Sequence, residues 1–205
     1  QWAPDGQSVN YITGTCVQTV RLENGRIDIV VCFNYIQYLK AFEISPDGQQ
    51  VAVSLDNQLY IVPSDAARIA EVKTRGDLAA MAGCADLAPY TQNFVKYARW
   101  SKDGKTLAMV IFGTAEGIGS ADIVKILPVD QCSAYIRPLD HFPPPRFRMD
   151  EYVNAPMIQN FGWDGLYLFA FSTYMRNAGF GDLYIYNMDL HKGRMKINPV
   201  DNTCC

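Results

Sequence analysis

The residues of this chain that could do chemistry are six cysteines, two histidines and the aspartates of four Asp-Gly pairs. His141 and His191 have no serine or cysteine partner in a recognisable pattern, and the Gly-x-Ser-x-Gly elbow of serine hydrolases is absent. Cys-x-x-Cys, a common zinc-ligand spacing, is absent as well, and no phosphate-binding or calcium-binding loop motif occurs. The sequence therefore predicts no catalytic residue, no metal site and no cofactor within these 205 residues.

Two of the cysteines are placed where a disulfide can form. Cys16 and Cys32 flank a hairpin-like segment whose turn is Glu23-Asn24-Gly25, and a pairing centred on Asn24 puts the two cysteines directly opposite each other. Cross-strand neighbours have Cβ atoms about 4.5–5.5 Å apart, so a bridge needs only a modest adjustment. We therefore expect a Cys16–Cys32 disulfide, with buried free thiols as the alternative.

The remaining cysteines bear on the cellular compartment of the protein and not on a functional site. Cys84 and Cys132 both fall in irregular segments and are the candidates for a second disulfide, whereas the pairing of Cys204 and Cys205 is left open. Disulfides persist in oxidising compartments and are rare in the cytosol. If the cysteines are oxidised, the protein is extracytoplasmic: periplasmic, on the cell surface or secreted.

Composition and charge disfavour two classes of partner. The chain is 49% hydrophobic and 19% charged, with a net charge of −3, as in an ordinary globular protein. It has no basic footprint for nucleic acid or for an anionic membrane surface. No apolar run reaches the roughly 18 residues that a membrane span needs. We expect neither nucleic-acid binding nor a membrane span.

The four Asp-Gly pairs mark a repeat. Each pair stands between an apolar residue and a run of alternating apolar residues, the pattern that best predicts a β-hairpin with a type I′ turn. The apolar residue lies three positions before the aspartate, and the four are Trp2, Ile44, Trp100 and Phe161. The aspartates are typical turn residues whose side chains bond local backbone N–H groups. We therefore interpret them as structural.

A second strand signal follows in every repeat, at Cys16–Leu22, Leu59–Pro63, Ile123–Pro128 and Leu183–Tyr186. Each unit then has four strands, and periods of this length with four strands predict a β-propeller. The predicted fold class is all-β, a single propeller domain over residues 1–205 built from four-stranded antiparallel blades. The blade units are 1–40, 41–97, 98–158 and 159–205. Four blades are few, and the chain opens at a turn, so we expect it to be part of a larger propeller with further blades.

One copy of the repeat resembles a known family. The segment that begins at Ile44 resembles the TolB-like, WD-like propeller repeat. It contains Ile44-Ser45-Pro46-Asp47-Gly48, then two glutamines, an apolar alternation and a Leu59-Tyr60 strand. The copies at Asp5 and Asp103 match closely, whereas the copy at Asp164 lacks the two polar residues after glycine. The resemblance implies a propeller, which serves either as a binding scaffold or as the propeller domain of a prolyl-oligopeptidase-type enzyme.

The long connections are predicted to lie at the rim opposite the Asp-Gly turns. They are Gly113–Ala121, Ser172–Gly181, the Ala-rich stretch 65–97 and the Pro-rich stretch 137–160. Binding residues concentrate on loops held by a rigid scaffold, and aromatic residues and arginine are typical interface anchors. The candidate partner-binding residues are Arg146, Arg148, Tyr152, Tyr174, Arg176 and Phe180. The alternatives are a solvated crossing loop and a loop packed on itself.

The Ala-rich stretch also predicts a short helix. Asp77 suits the first turn, Gly83 the position just past the end, and the helix is expected over 77–82. Taken together, the sequence predicts a non-catalytic, extracytoplasmic propeller that binds a protein partner through its long-loop face. The alternatives are the propeller domain of a larger hydrolase and a propeller that binds a glycan or another small ligand.

Overall fold

The computed structural model describes residues 1–34, 39–56, 58–83, 94–115, 118–129, 137–142, 156–164, 167–174, 183–187 and 192–197. These residues form strands, with two short helices midway along the chain. In chain order the elements are β1 (Ser8–Thr13), β2 (Cys16–Arg21), β3 (Ile27–Cys32), β4 (Leu39–Ile44), β5 (Gln50–Leu55), β6 (Gln58–Pro63), α1 (Ala66–Glu71), α2 (Arg75–Met81), β7 (Phe94–Trp100), β8 (Thr106–Ala115), β9 (Ile118–Pro128), β10 (Arg137–Phe142), β11 (Pro156–Asp164), β12 (Tyr167–Tyr174), β13 (Leu183–Asn187) and β14 (Lys192–Ile197).

The strands form four antiparallel meanders in which each strand pairs with its neighbour in sequence. Sheet 1 is β1–β3, sheet 2 is β4–β6, sheet 3 is β7–β10 and sheet 4 is β11–β14. Sheets 3 and 4 have the expected four strands, whereas sheets 1 and 2 have three strands each among the described residues. In sheet 1, Trp2 stands where a first strand would run and makes only an isolated bridge to Val9.

Two helices follow β6. Thr74 caps α2 in a capping box with Asp77, because each side chain accepts a hydrogen bond from the other's backbone N–H. The predicted helix is therefore present but begins at Arg75, two residues earlier than expected. The sequence analysis missed α1, whose Asp65 side chain caps the N–H groups of Ala67 and Arg68.

The predicted type I′ geometry of the Asp-Gly turns is wrong. Gly6, Gly48 and Gly104 have φ of +64°, +71° and +70°, but none of the aspartates before them has a positive φ. The Gly48 N–H donates to the Ser45 carbonyl at 2.9 Å, as in a type I turn that ends in a left-handed glycine. Loop length is the reason: the Ser45 N–H donates to the Gln50 carbonyl at 2.8 Å, so four residues join the two strands, and loops of this length are mostly built around a type I turn.

The fourth Asp-Gly turn has a different register. Trp100 pairs with Leu107 across the third turn, and Trp163 pairs with Leu168 across the fourth, so the fourth connection is two residues shorter. Asp164 itself is the last residue of β11. The two polar residues missing after Gly165 account for this difference, and Trp163 rather than Phe161 takes the place of Trp100.

Two apolar cores hold the first three sheets together. Alternation along β5 sends Val51, Val53 and Leu55 to one face and Ala52 to the other, as predicted. The core between sheets 1 and 2 contains Val17, Val31, Phe33, Leu39, Phe42, Val51, Val53, Leu55, Tyr60 and Val62, with Ile69, Val72 and Leu78 from the helical segment. The core between sheets 2 and 3 contains Ala41, Ala52, Leu59, Ile61, Val95, Ala98, Trp100, Leu107, Met109 and Ile111. Sheet 2 is thus buried on both faces.

Two stretches predicted as loops are partly strand. Gly113 pairs with Ala121 and Ala115 with Ile118, so the predicted Gly-rich loop is the end of the β8–β9 hairpin. The Pro-rich stretch begins with β10 and ends in β11. Pro138 is tolerated in β10 because that strand is the edge of sheet 3, where a missing N–H breaks no ladder on the outer side.

The predicted disulfide joins Cys16 and Cys32, which are directly opposite in the β2–β3 pair. The candidates Cys84 and Cys132 lie outside the described residues. Neither α1 nor α2, the helices of the described ranges, has the length and apolar character to cross a bilayer.

Candidate functional site

The first three Asp-Gly turns hold their carboxylates in local hydrogen bonds. Asp47 Oδ1 accepts from Ser45 Oγ at 2.6 Å and from the Gln49 N–H at 3.0 Å. Asp103 makes the same two bonds, to Ser101 Oγ at 2.7 Å and the Lys105 N–H at 3.0 Å. These hydrogen bonds lower the pKa of both carboxyl groups, because they stabilise the ionised form. The aspartates therefore serve the turns and not a reaction.

Successive turns also touch each other. A Cβ placed on Gly48 would lie 3.8 Å from Pro4 Cγ, and one on Gly104 would lie 3.8 Å from Pro46 Cδ. The three turns therefore stand side by side at one end of the stacked sheets. The second and third turns each lie beside the proline of the turn before, so this rim is compact.

A cleft of about 220 Å³ opens along the first strands of the sheets. Strands β4 and β7 lie side by side there, with β1 beside β4. The polar and aromatic residues of its lining are Gln1, which precedes β1, Asn10 and Tyr11 of β1, Lys40, Phe42 and Glu43 of β4, and Tyr97 and Arg99 of β7. Charged and aromatic side chains converge in this cleft.

An ion pair lies at the wall of this cleft. Arg99 Nη1 donates to Glu43 Oε1, and the arginine side chain is 37% exposed while that of Glu43 is buried. Burial raises the pKa of Glu43 to about 7, and the Arg99 guanidinium opposes that rise. Such a carboxyl can exchange a proton near neutral pH, but both partners also join sheet 2 to sheet 3, and an ion pair of this kind is commonly structural.

Tryptophan indoles make a second, repeated link between sheets. Trp100 Nε1 donates to the Glu43 carbonyl at 2.8 Å, from sheet 3 to sheet 2. Trp163 Nε1 donates to the Arg99 carbonyl at 3.0 Å, from sheet 4 to sheet 3. The two acceptors occupy the same position of the repeat, so sheets 3 and 4 are each tied to the sheet before them by the same bond.

Sequence reasoning missed the Glu43–Arg99 pair, although a signal was present. Glu43 and Arg99 both lie four residues before the aspartate of their repeat, and so does Gln1. Gln1 uses its side-chain amide to bond both backbone groups of Ile44, at 2.8 Å each. A polar residue at this one repeat position therefore makes a contact between sheets in three successive units: Gln1 and Glu43 reach the next sheet, and Arg99 reaches back to the preceding one.

Of the sequence-predicted binding residues, Tyr174 lies in a described strand and the others lie outside the described residues. Tyr174 is the last residue of β12, and His141 lies in β10. The other candidates lie outside the described residues: Arg146, Arg148, Tyr152, Arg176 and Phe180. They stay predictions. In the part of the chain that the structure describes, no three His, Cys, Asp or Glu side chains are grouped as metal ligands would be.

Comparison with known proteins identifies the fold but no family. No protein-family model matches the chain, and no curated protein is detectably similar to it in sequence. A chain of a mitotic checkpoint complex superposes with a TM-score of 0.54 at 13% identity, over 96% of this chain and 49% of that one. This chain thus spans about half the length of that neighbour.

Two further solved structures agree. The β-propeller domain of Cps50 (Swd1) from Myceliophteria thermophila superposes with a TM-score of 0.53 at 10% identity, over 98% of this chain and 72% of that one. An oligogalacturonate lyase in complex with manganese superposes with a TM-score of 0.51 at 16% identity, over 90% of this chain and 43% of that one. At such low identity these likenesses carry the fold alone. The chain is similar in architecture to solved β-propellers.

Proposed function

We propose that this protein is a non-catalytic, extracytoplasmic β-propeller that binds a protein partner through the long connections opposite its Asp-Gly turns. The observation that carries the proposal is the burial of sheet 2 on both faces between two apolar cores. Such a stack is rigid, and rigid scaffolds with long loops on one side commonly bind through those loops.

The opposite rim offers less to a partner. Its first three turns are tight, and their carboxylates are already engaged by local hydrogen bonds. The cluster of Arg146, Arg148 and Tyr152 in the Pro-rich connection has the residue types that anchor interfaces. The partner is therefore expected at that connection and not at the Asp-Gly rim.

The extracytoplasmic location is supported by the Cys16–Cys32 disulfide. Living cells treated with a thiol-blocking reagent before lysis test it. We expect Cys16 and Cys32 to resist the reagent until the protein is reduced. Labelling of both thiols without prior reduction would contradict the location.

Partner binding is tested by isolating the tagged protein from its natural source after cross-linking. We expect one protein to be recovered in a fixed ratio with the wild-type chain and lost with the triple variant Arg146→Ala, Arg148→Ala, Tyr152→Ala. The matched control is Lys102→Ala with Lys105→Ala, which removes two charges from the opposite rim. Equal recovery with both variants would overturn the proposed face, and recovery with neither the wild type nor the control would overturn the scaffold function.

The cleft supports a second candidate, the binding of a small ligand such as a glycan. Tyr11 and Tyr97 supply aromatic surface and Arg99 a partly exposed guanidinium, in a volume of about 220 Å³. A ligand that binds only the folded protein raises its Tm. We expect an oligosaccharide panel to contain a member that raises the Tm of the wild type but not of Tyr11→Ala. A flat response across neutral and acidic sugars would remove this candidate.

A further inference from the structure

Sheet 1 has one buried face and one open face. Its open face presents Trp2, Ile27 and Ile29, which are 61%, 56% and 66% exposed. The antiparallel pairs Trp2–Val9, Val9–Val20 and Val20–Ile27 place these residues on one side of the sheet, and Tyr11–Gln18 and Gln18–Ile29 extend the same side. A contiguous apolar surface of this kind on a folded protein marks a contact with another structure.

The positions of these residues in the repeat show which face of sheets 2 and 3 is equivalent to the open face of sheet 1. Val9 and Tyr11 lie four and six residues after Asp5, as Val51 and Val53 lie after Asp47 and as Leu107 and Met109 lie after Asp103. Val51 and Val53 of sheet 2 face the core shared with sheet 1. Leu107 and Met109 of sheet 3 face the core shared with sheet 2. In both sheets, this is the face that receives the preceding sheet.

Trp2 gives a second, independent indication. It occupies the position of Trp100 in the repeat, since each pairs with the residue seven positions further on. Trp100 and Trp163 both donate their indole N–H to a backbone carbonyl of the preceding sheet. Trp2 Nε1 has no such acceptor within the ranges that the structure describes, and its ring is largely exposed.

We propose that the open face of sheet 1 is covered by a further sheet of this same repeat, carried by the same polypeptide. Its first strand would supply a backbone carbonyl to Trp2 Nε1, at the repeat position of Glu43 and Arg99. The same polypeptide is the expected source because each described sheet is tied to its neighbour in sequence. The Swd1 propeller domain, of which this chain spans 72%, is also longer than the matched region. The proposal rests on the propeller fold and is independent of the scaffold function.

Hydroxyl-radical footprinting of the polypeptide as its gene encodes it, purified and monodisperse, tests the occupant. We expect Trp2 and Ile29 to be protected to the same degree as the buried Trp100, and light scattering to report a monomer. Oxidation of Trp2 at the rate of an exposed indole would overturn the proposal. Protection that disappears on dilution, in parallel with dissociation of a dimer, would also overturn it, because the occupant would then be a second copy.

A pair of variants separates docking from local folding. Ile29→Lys places a charge in the proposed contact and should lower the Tm of the encoded polypeptide and restore oxidation of Trp2. Glu23→Lys is the control, since Glu23 is also exposed but lies in the turn between β2 and β3. It should change neither quantity. Equal effects of the two substitutions would show that the open face is not a contact surface.

Discussion

The contact between sheets 1 and 2 and the contact between sheets 2 and 3 use the same repeat positions with different chemistry. Between sheets 1 and 2, a neutral amide, that of Gln1, bonds the backbone of Ile44, and the helical segment closes the core. Between sheets 2 and 3, a buried carboxyl and a guanidinium meet, and an indole adds a hydrogen bond. The two contacts are equivalent in geometry but not in charge.

The difference shows which properties the repeat imposes and which the individual residues add. Apolar alternation and the turn glycines recur in both contacts, so packing stabilises both in the same way. Burial of Glu43 adds a sensitivity to pH near neutrality to the contact between sheets 2 and 3. The four predictions below test this division, beginning with the substitutions expected to cost most.

Cavities in the two cores should lower the free energy of unfolding by similar amounts. Leu55 belongs to the first core and Leu107 to the second, and both are fully buried. Leu55→Ala and Leu107→Ala should each lower the free energy of unfolding by about 2–5 kcal/mol, from lost burial and the cavity left behind. Urea denaturation followed by fluorescence and circular dichroism checks this. A second transition in only one variant would show that the two contacts do not unfold together.

Glu43 should make the contact between sheets 2 and 3 pH-dependent. Its pKa is raised from 4.5 to about 7, so the folded state holds a proton that the unfolded state has lost. The stabilisation is complete below pH 4.5 and disappears as the pH rises through 7, by at most about 3 kcal/mol. Urea titrations between pH 4.5 and 8 on the wild type and Glu43→Gln measure it.

The Glu43→Gln variant should lack this slope, because a neutral amide stands in the position at every pH, as Gln1 does in the equivalent contact. An unchanged slope in Glu43→Gln would assign the pH dependence to other groups. Arg99→Met should shift the midpoint of the dependence to higher pH, since Arg99 opposes the rise of the Glu43 pKa.

The indole bond should contribute less than the buried core. Trp100→Phe keeps the aromatic packing but leaves the Glu43 carbonyl without its donor, which should cost about 1–2 kcal/mol of the free energy of unfolding. Trp163→Phe should cost less, because that side chain is only half-buried. Chemical denaturation of the two single variants provides the comparison. A larger loss for Trp163→Phe would reverse the expected ranking.

The turn glycines should show the smallest effect, and equally in both contacts. Gly48→Ala and Gly104→Ala force a Cβ into a left-handed conformation, which costs about 1–2 kcal/mol. Gly76→Ala is the control: that glycine lies in α2 without a positive φ, and alanine there should be neutral or stabilise slightly. Thermal unfolding of the three variants checks the prediction, and destabilisation by Gly76→Ala would count against it.

Most of the fold could be predicted from local patterns. The alternation of Val51 to Leu55 and the symmetry of Cys16 and Cys32 about Asn24 are both present in the structure. The turn type was mispredicted because it depends on the four-residue length of the connection between the paired strands, which Asp-Gly alone does not determine. Helix α1 was missed because its alanines were taken as part of one long connection.

The candidate site could be predicted less well, for a physical reason. The Glu43–Arg99 pair joins residues 56 positions apart in two sheets, and only the stacking of the sheets brings them together. Repeat alignment can place both residues at one position, but not the direction in which each side chain reaches. Of the predicted partner-binding arginines and aromatics, Tyr174 ends β12 and the others lie in connections outside the described residues, so they stay a hypothesis drawn from residue type.

The most direct test of the stacked architecture is the hydrogen exchange of the indole N–H groups, measured by ¹⁵N-edited NMR. Trp100→Phe and Trp163→Phe assign the two signals. We predict that the Trp100 indole N–H exchanges far more slowly than a solvent-exposed indole and that the Trp163 indole N–H is also protected. Exchange of the Trp100 indole at the rate of a free side chain would contradict the repeated bond that ties sheets 3 and 4 to the sheets before them.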